Sequence, residues 1–314
     1  MRKLNFSFII INIIVILCMV FFLKNEYYIS LGVYIIFNAI NASCFNILLG
    51  YAGVVSLGQA AFFGLGAYSV GIFTVHYGVN PYLTIFIGII FSGVIALLIG
   101  YPALKLHGHY LAMATLGFGM IVYICFNEMD FLTGGPSGLT GIESLPFFGV
   151  DLGNEFNFFI FMSIVYLLFL FSMELFDKSF LSYKLKFIHE SENASKSYGI
   201  NVSRTKLTTF VVVACITSIN GSLFAFYSNF ISPVSFSFKY SVEILTMAVV
   251  GGLGSITGGN IGAFVLTLLP EIFADIEDYE MVIYGLFLGI TVLFFDGGIA
   301  KIFRRLMGHY ARSQ

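Results

Sequence analysis

Charge is what this 314-residue sequence has least of: Asp, Glu, Lys and Arg together make up 10% of it. With 15 basic and 17 acidic side chains the net charge is −2, so no overall basic field draws the chain to nucleic acid. Tryptophan is absent, and the four cysteines, Cys18, Cys44, Cys125 and Cys215, stand singly inside apolar stretches. Without a C-x-x-C pair they point to neither redox work nor a zinc knuckle and read as buried thiols. Histidines are few: His76, His107, His109, His189 and His309 form no H-E-x-x-H pattern. The nearest pair, His107 and His109, is followed by no carboxylate or Cys at ligand spacing, so no metal and no cofactor are expected. There is no G-x-S-x-G elbow and no P-loop. Catalysis is not expected, and any energy from ATP has to come from another chain.

The bulk of the sequence is apolar. Hydrophobic side chains make up 58% of it, and 33 glycines bring the apolar share to about two thirds, against roughly 45–50% in soluble domains. That excludes a water-soluble globule. The expected fold class is an all-α integral membrane protein, one polytopic helical domain over residues 1–314 in contact with membrane lipid.

Crossing the hydrocarbon core takes about 20 consecutive apolar residues as helix, and stretches of that kind give about ten expected spans. The first, 6–23, follows Met1, Arg2 and Lys3 as a signal peptide would. Lys24, Asn25 and Glu26 stand where a small-residue cleavage site belongs, so it reads as an uncleaved anchor. Residues 27–104 carry no Asp, Glu, Lys or Arg and hold three spans, 27–50, 57–77 and 82–104. Gly50 to Gly53 divide the first two, and Gly78, Asn80 and Pro81 the last two. A span at 109–126 precedes the long loop 127–157, which is glycine-rich and holds five acids but no Lys or Arg. Spans at 158–175 and 207–231 flank a charged segment, 241–252 and 258–272 are separated only by glycine-rich sequence, and 281–295 is the last. Either glycine segment can equally be a broken or re-entrant helix, which changes the count.

Ten spans put both termini on one side, and basic residues belong in cytoplasmic loops. On this layout 13 Lys and Arg fall inside and only Lys24 and Lys239 outside, so the termini are expected in the cytoplasm, the segment 176–206 inside and the loop 127–157 outside. Tyrosines at span ends, such as Tyr27, Tyr28, Tyr77, Tyr82, Tyr101 and Tyr110, fit an interfacial belt.

Two glycine-rich segments stand out, one from Gly50 to Tyr68 and one from Gly251 to Gly262. Small residues every three or four positions serve close helix packing, since lipid offers no hydrophobic drive between helices. Glycines that break a helix beside a pathway also free backbone groups, here together with Ser56, Gln59, Ser255 and Asn260, to meet a polar solute. Both readings stand. Among acids within spans Glu243 is the first functional candidate, and an i,i+4 ion pair with Lys239 is its plain alternative. The segment 176–206 holds six basic and three acidic residues, and 183–200 reads as one amphipathic helix ended by Gly199, either a solvated surface helix or a docking helix for a cytoplasmic partner.

The order of these motifs resembles the LivM-type permeases, the membrane subunits of ABC importers for branched-chain amino acids. Gly50-Tyr-Ala-Gly53 through Tyr68 looks like that family's first signature, Pro102 through Thr115 to Gly119 the second, and Leu132 through Pro136 and Gly138 to Ile142 the third. Glu190-x-Glu192-x-Ala194 with Gly199, Phe230 to Phe236, Ser241-Val-Glu243, and Val250 to Ser255 follow in order, so the likeness runs over residues 38–295. His189 stands where the family often has Arg, and Ser195 where it often has a second Ala.

The resemblance implies an ABC importer permease fold in the bacterial cytoplasmic membrane. Its implied partners are a homologous second permease of the LivH type, two cytoplasmic ATP-binding subunits, and a periplasmic or tethered binding protein that delivers leucine, isoleucine or valine. The expected substrate pathway is Ser56, Gln59, Thr115, Glu243 and Ser255, with Gly53, Gly58, Gly252 and Gly254 as helix breaks. The expected ATPase coupling residues are Glu190, Glu192, Ala194 and Gly199. A urea or short-amide importer shares similar glycine signatures. A proton-coupled carrier would rest on Glu243 as its relay, and a membrane enzyme would need a convergent polar triad that the sequence lacks.

Overall fold

The computed structural model describes residues 25–147 and 150–272, with a few single positions within 12–16 and 282–289. The expected spans 6–23 and 281–295 lie outside the described residues apart from those positions. Helix α1, Glu26–Asn46, runs on through a π-helical turn, Ile47–Tyr51. It is followed by α2, Gln59–Val75; α3, Pro81–Ala103; α4, His109–Glu128; and α5, Glu155–Asp177. Then come α6, Phe180–Glu190; α7, Glu192–Ser197; α8, Val202–Ser228; α9, Phe238–Gly251; and α10, Ile256–Ile272. Five of these, α1 with its π turn, α3, α4, α5 and α8, are long and apolar enough to cross a membrane.

Helix starts follow local chemistry. The side chains of Asn25, Asn80, Asn154 and Asn201 each accept a hydrogen bond from a first-turn amide, of Tyr27, Tyr82, Phe156 and Arg204 respectively. Pro81 occupies the first turn of α3, where its missing N–H costs nothing. The loop after α4 folds back on the bundle: Leu139–Thr140 pairs antiparallel with Phe230–Ile231, and Pro146–Phe147 with Val150–Asp151.

The core centres on α8. It runs antiparallel to α3, with the Ser92 and Ser218 hydroxyls 3.0 Å apart, and parallel to α2. A Cβ on Gly66 would run into the Ser218 carbonyl and one on Gly221 into that of Phe63, so the α2 and α8 backbones pass in direct contact. Helices α9 and α10 form a hairpin of equal closeness, since a Cβ on Gly262 would meet the Met247 carbonyl. The packing role of the glycines is thus met at Gly66, Gly221 and Gly262.

Two expected spans are met by short helices, and one expectation about elements needs correction. The spans expected at 57–77 and 241–252 contain helices of 17 and 14 residues. At about 1.5 Å per residue these reach about 25 and 21 Å, short of the roughly 30 Å hydrocarbon core. The chain before α2 is non-helical, and before α9 it forms a short strand and a 3₁₀ turn, Pro233–Phe236. The helix expected over 183–200 is two helices, because Ser191 is extended (φ −158°, ψ 110°) and its side chain accepts the Ala194 amide as the cap of α7. Gly199 does end the segment, with φ +78° and Ile200 N–H bonded to the Ser195 carbonyl at 3.0 Å.

Candidate functional site

Helix α2 begins inside the bundle. Thr217, which donates to Gln59 Oε1 at 3.3 Å, lies about 22 Å along the 27-residue α8, so the extended stretch 53–58 climbs from the end bearing α6 and α7 to the middle of the bundle. Helix α9 also begins beside the middle of a neighbour: the Asn41 amide donates to Tyr240 Oη at 2.8 Å, and that hydroxyl donates to Asn38 Oδ1 at 3.0 Å, both well inside α1. The two helix starts meet where Ala60 N–H donates to Ser241 Oγ at 3.2 Å.

Ser56, Gln59 and Thr115 are gathered at this place. Thr115 Oγ1 accepts the Leu57 amide at 3.0 Å and in turn reaches the carbonyls of its own helix, which pins the break against α4. Gly58 lies so close to the Thr115 carbonyl that a Cβ there would sit 2.8 Å from it. Ser56 and Gln59 are 0% and 1% exposed, yet Ser56 Oγ and Gln59 Nε2 have no hydrogen-bond partner among the described residues. Leaving such groups unmet costs about 1–3 kcal/mol each.

Ser255 lies elsewhere, in the turn joining α9 to α10, where its Oγ accepts the Gly258 amide at 3.1 Å. Gly252 (φ +118°) and Gly254 (φ +71°) shape that turn with backbone that side-chain-bearing residues rarely adopt. The turn presses on Gly50, whose Cβ would collide with the Gly254 amide, so the two glycine segments touch. Glu243, one turn into α9, stands 3.8 Å from Lys239 in the i,i+4 pair.

Sequence reasoning missed the asparagines of α1. Asn46 donates to the Gly252 and Ser255 carbonyls at 3.2 and 2.9 Å and accepts the Gly254 amide at 2.8 Å, holding the turn on three bonds. Asn220 donates to Asn41 Oδ1 and the Phe37 carbonyl at 2.9 Å each, and Asn38 donates to Thr267 at 2.9 Å, completing a polar ladder across α8, α1, α9 and α10. The signal was present: four amide side chains inside stretches read as spans.

At the end of α6 and α7 the coupling candidates divide. Glu190 and Gly199 are exposed and Ala194 is partly so. Glu192 bonds Lys206, at the foot of α8, and lies 3.5 Å from His107 Nε2 before α4. Burial acts to raise the Glu192 carboxyl, but the hydrogen bond and charge of Lys206, with His107, outweigh it and hold the group below its ordinary value. Two contacts then join α6 to the first break. His189 packs on Gly53 (φ +65°), where a Cβ would lie 2.8 Å from its ring, and Lys186 bonds Asp177 at 2.6 Å while Tyr51 donates to the same carboxylate oxygen at 3.0 Å.

The model of a protein family described as branched-chain amino acid transport system / permease component matches residues 27–294. The high-affinity branched-chain amino acid transport system permease protein LivM of Escherichia coli is 32% identical over 271 residues, covering 79% of this chain and 63% of the relative. The probable branched-chain amino acid transport permease protein LivM of Methanocaldococcus jannaschii is 22% identical over 271 residues, 75% of this chain and 78% of its own. The permease protein LivH of E. coli is 28% identical over 106 residues, 33% of this chain and 34% of its own. The chain spans 63% of the length of the E. coli and Salmonella LivM proteins, and no solved structure matches it. Matched over most of its length, with a helical bundle broken at two glycine segments, the chain belongs to the branched-chain amino acid transport permease family and is a polytopic helical membrane protein.

Proposed function

We propose that the chain is the permease subunit of an ABC importer that moves leucine, isoleucine and valine inward across the bacterial cytoplasmic membrane. It pairs with a homologous LivH-type permease, docks two cytoplasmic ATP-binding subunits, and receives cargo from a periplasmic or tethered binding protein. The names borne by its LivM and LivH relatives support the substrate class. One domain, 1–314, crosses about ten times, α2 and α9 each completing a crossing together with the chain that precedes it, with both termini and the segment 176–206 in the cytoplasm and the loop 127–157 outside, in keeping with the basic-residue bias.

The observation that carries the transport reading is the pair of interrupted helices. Non-helical backbone at membrane depth is tolerated only when shielded by protein or lining a polar path. Here it brings two helix starts to mid-bundle together with the unmet atoms of Ser56 and Gln59. In this reading Ser56, Gln59, Thr115, Glu243 and Ser255 serve the pathway, and Gly53, Gly58, Gly252 and Gly254 let it open and close. The segment α6–α7 takes up the ATPase through Glu190, Glu192, Ala194 and Gly199. A shift of α6 reaches the pathway through the His189–Gly53 and Lys186–Asp177–Tyr51 contacts, by movement of packed elements between two arrangements.

Uptake of labelled leucine by proteoliposomes holding the assembled importer and internal ATP tests this. Gly58→Leu and Gly254→Leu should abolish uptake while the subunits still copurify. Continued transport by both variants would move the pathway away from the breaks.

A further inference from the structure

Far from the glycine breaks, at the opposite end of the bundle from α6 and α7, a cavity of about 580 Å³ opens between the start of α1, the start of α5 and the end of α8. Glu155 contributes a carboxylate to it, and Glu155 Oε2 is buried without a hydrogen-bond partner among the described residues. Three aromatic rings stand beside it: Tyr227 lies 4.8 Å from Phe158 and 5.8 Å from Tyr34, centroid to centroid. Helix α8 ends here, its C-cap residue Asn229 in left-handed conformation (φ 54°), so the negative end of the helix dipole lies at the rim. None of the described residues lining the cavity is basic.

The carboxylate and the rings select the sign of the guest. A shielded carboxylate oxygen needs a donor or a positive charge. Ring faces attract cations, while the end of α8 is offset by the starts of α1 and α5. An anion is repelled by the same groups, and a metal ion finds one carboxylate where a hard cation takes six or more oxygens. The aromatic wall calls for an apolar stem behind the charge. We propose that this cavity binds a primary ammonium group on an apolar stem, the ammonium against Glu155 and the stem along Tyr34, Phe158 and Tyr227.

Two molecules present such a group: an aliphatic amino acid arriving from outside, and the ethanolamine headgroup of a membrane phospholipid. The choice of cargo as occupant rests on the transport reading above; the ammonium site does not. Urea carries no ammonium, so occupation by cargo also separates the amino-acid importer from the short-amide alternative.

The test uses the full chain in phosphatidylcholine nanodiscs, with thermal melting read against 3-methylbutylamine, leucine and 4-methylpentanoate. The amine and leucine should raise the midpoint and the acid should not. Glu155→Gln should weaken the amine at least about tenfold. Tyr227→Leu, which leaves the carboxylate in place, should weaken it about threefold to tenfold. Phosphatidylethanolamine discs divide the sources: an amine response that vanishes there while leucine gives none in either lipid supports the site with a lipid occupant, and a leucine response retained in both supports cargo. An amine that leaves the wild type unmoved, or moves Glu155→Gln equally, overturns the site. Leucine uptake by the assembled importer is read separately, so its failure would sink the transport reading without touching the amine result.

Discussion

Two buried side-chain atoms without partners carry the sharpest expectations. Removing a polar atom that is unmet in the folded state relieves its desolvation cost, so Ser56→Ala should stabilise the protein by about 1 kcal/mol. Gln59→Met also removes the oxygen that accepts from Thr217, so the two effects offset and its stability should change little. If the unmet atoms meet cargo, both variants should lower leucine uptake severalfold. A rise in melting temperature with a fall in uptake is the signature expected of Ser56→Ala, and both falling together would mark Ser56 as a packing residue. Glu192 gives a prediction in pH. A carboxyl held below its ordinary value lends stability that is complete above the unfolded pKa and lost as pH falls through the folded one. Proteolysis within 180–201 should therefore quicken on the acid side of the usual carboxylate range, and Glu192→Gln should show no step in that window. Sequence alone marked Glu192 as charged and as expected in the cytoplasm, but its partners Lys206 and His107 come from other stretches of the chain, which spacing does not reveal.

Among elements, legibility followed the strength of local chemistry. The Gly78, Asn80, Pro81 boundary was readable because a cap and a first-turn proline act within one turn. The break at Ser191 was not, since no glycine or proline marks it; the serine ends α6 with its backbone N–H on the Phe187 carbonyl and caps α7 with its side chain. The starts of α2 and α9 were read close to their places, at 57 and 241; their depth in the bundle was not, because composition does not say how far along a neighbour a helix begins. The two short helices also set the mechanical prediction. Ala194→Trp adds bulk on α7 without touching the His189–Gly53 contact, so it should reduce ATPase copurification and cargo-stimulated hydrolysis. His189→Ala should leave copurification intact and uncouple hydrolysis from uptake, because it empties the contact between α6 and Gly53. Should His189→Ala transport at the wild-type rate per ATP, the link runs elsewhere.

For the molecule as a whole, topology is the expectation open to the plainest check. In a background freed of native cysteines, Glu143→Cys in the loop 127–157 should react with an impermeant maleimide from outside, and Lys196→Cys only after permeabilisation. The reverse pattern would invert the bundle and remove the docking assignment. Described helices alternate in direction from α3 through α5 and from α8 to α10, as successive crossings require, and this much was implied by the count of apolar stretches.

The asparagine ladder bears on how the chain is made. Asn38 waits for Thr267, 229 residues downstream, Asn41 for Tyr240, 199 residues on, and Asn46 for Ser255, 209 residues on. At about 5–20 residues per second of synthesis, that interval is about 10–40 s. During it, α1 is in the insertion machinery or the lipid; α8 brings Asn220 to Asn41, and only the arrival of α9 and α10 answers the remaining amides. A nascent chain that stalls before residue 238 thus presents a polar stripe on its early helices, at a cost that only the later helices remove.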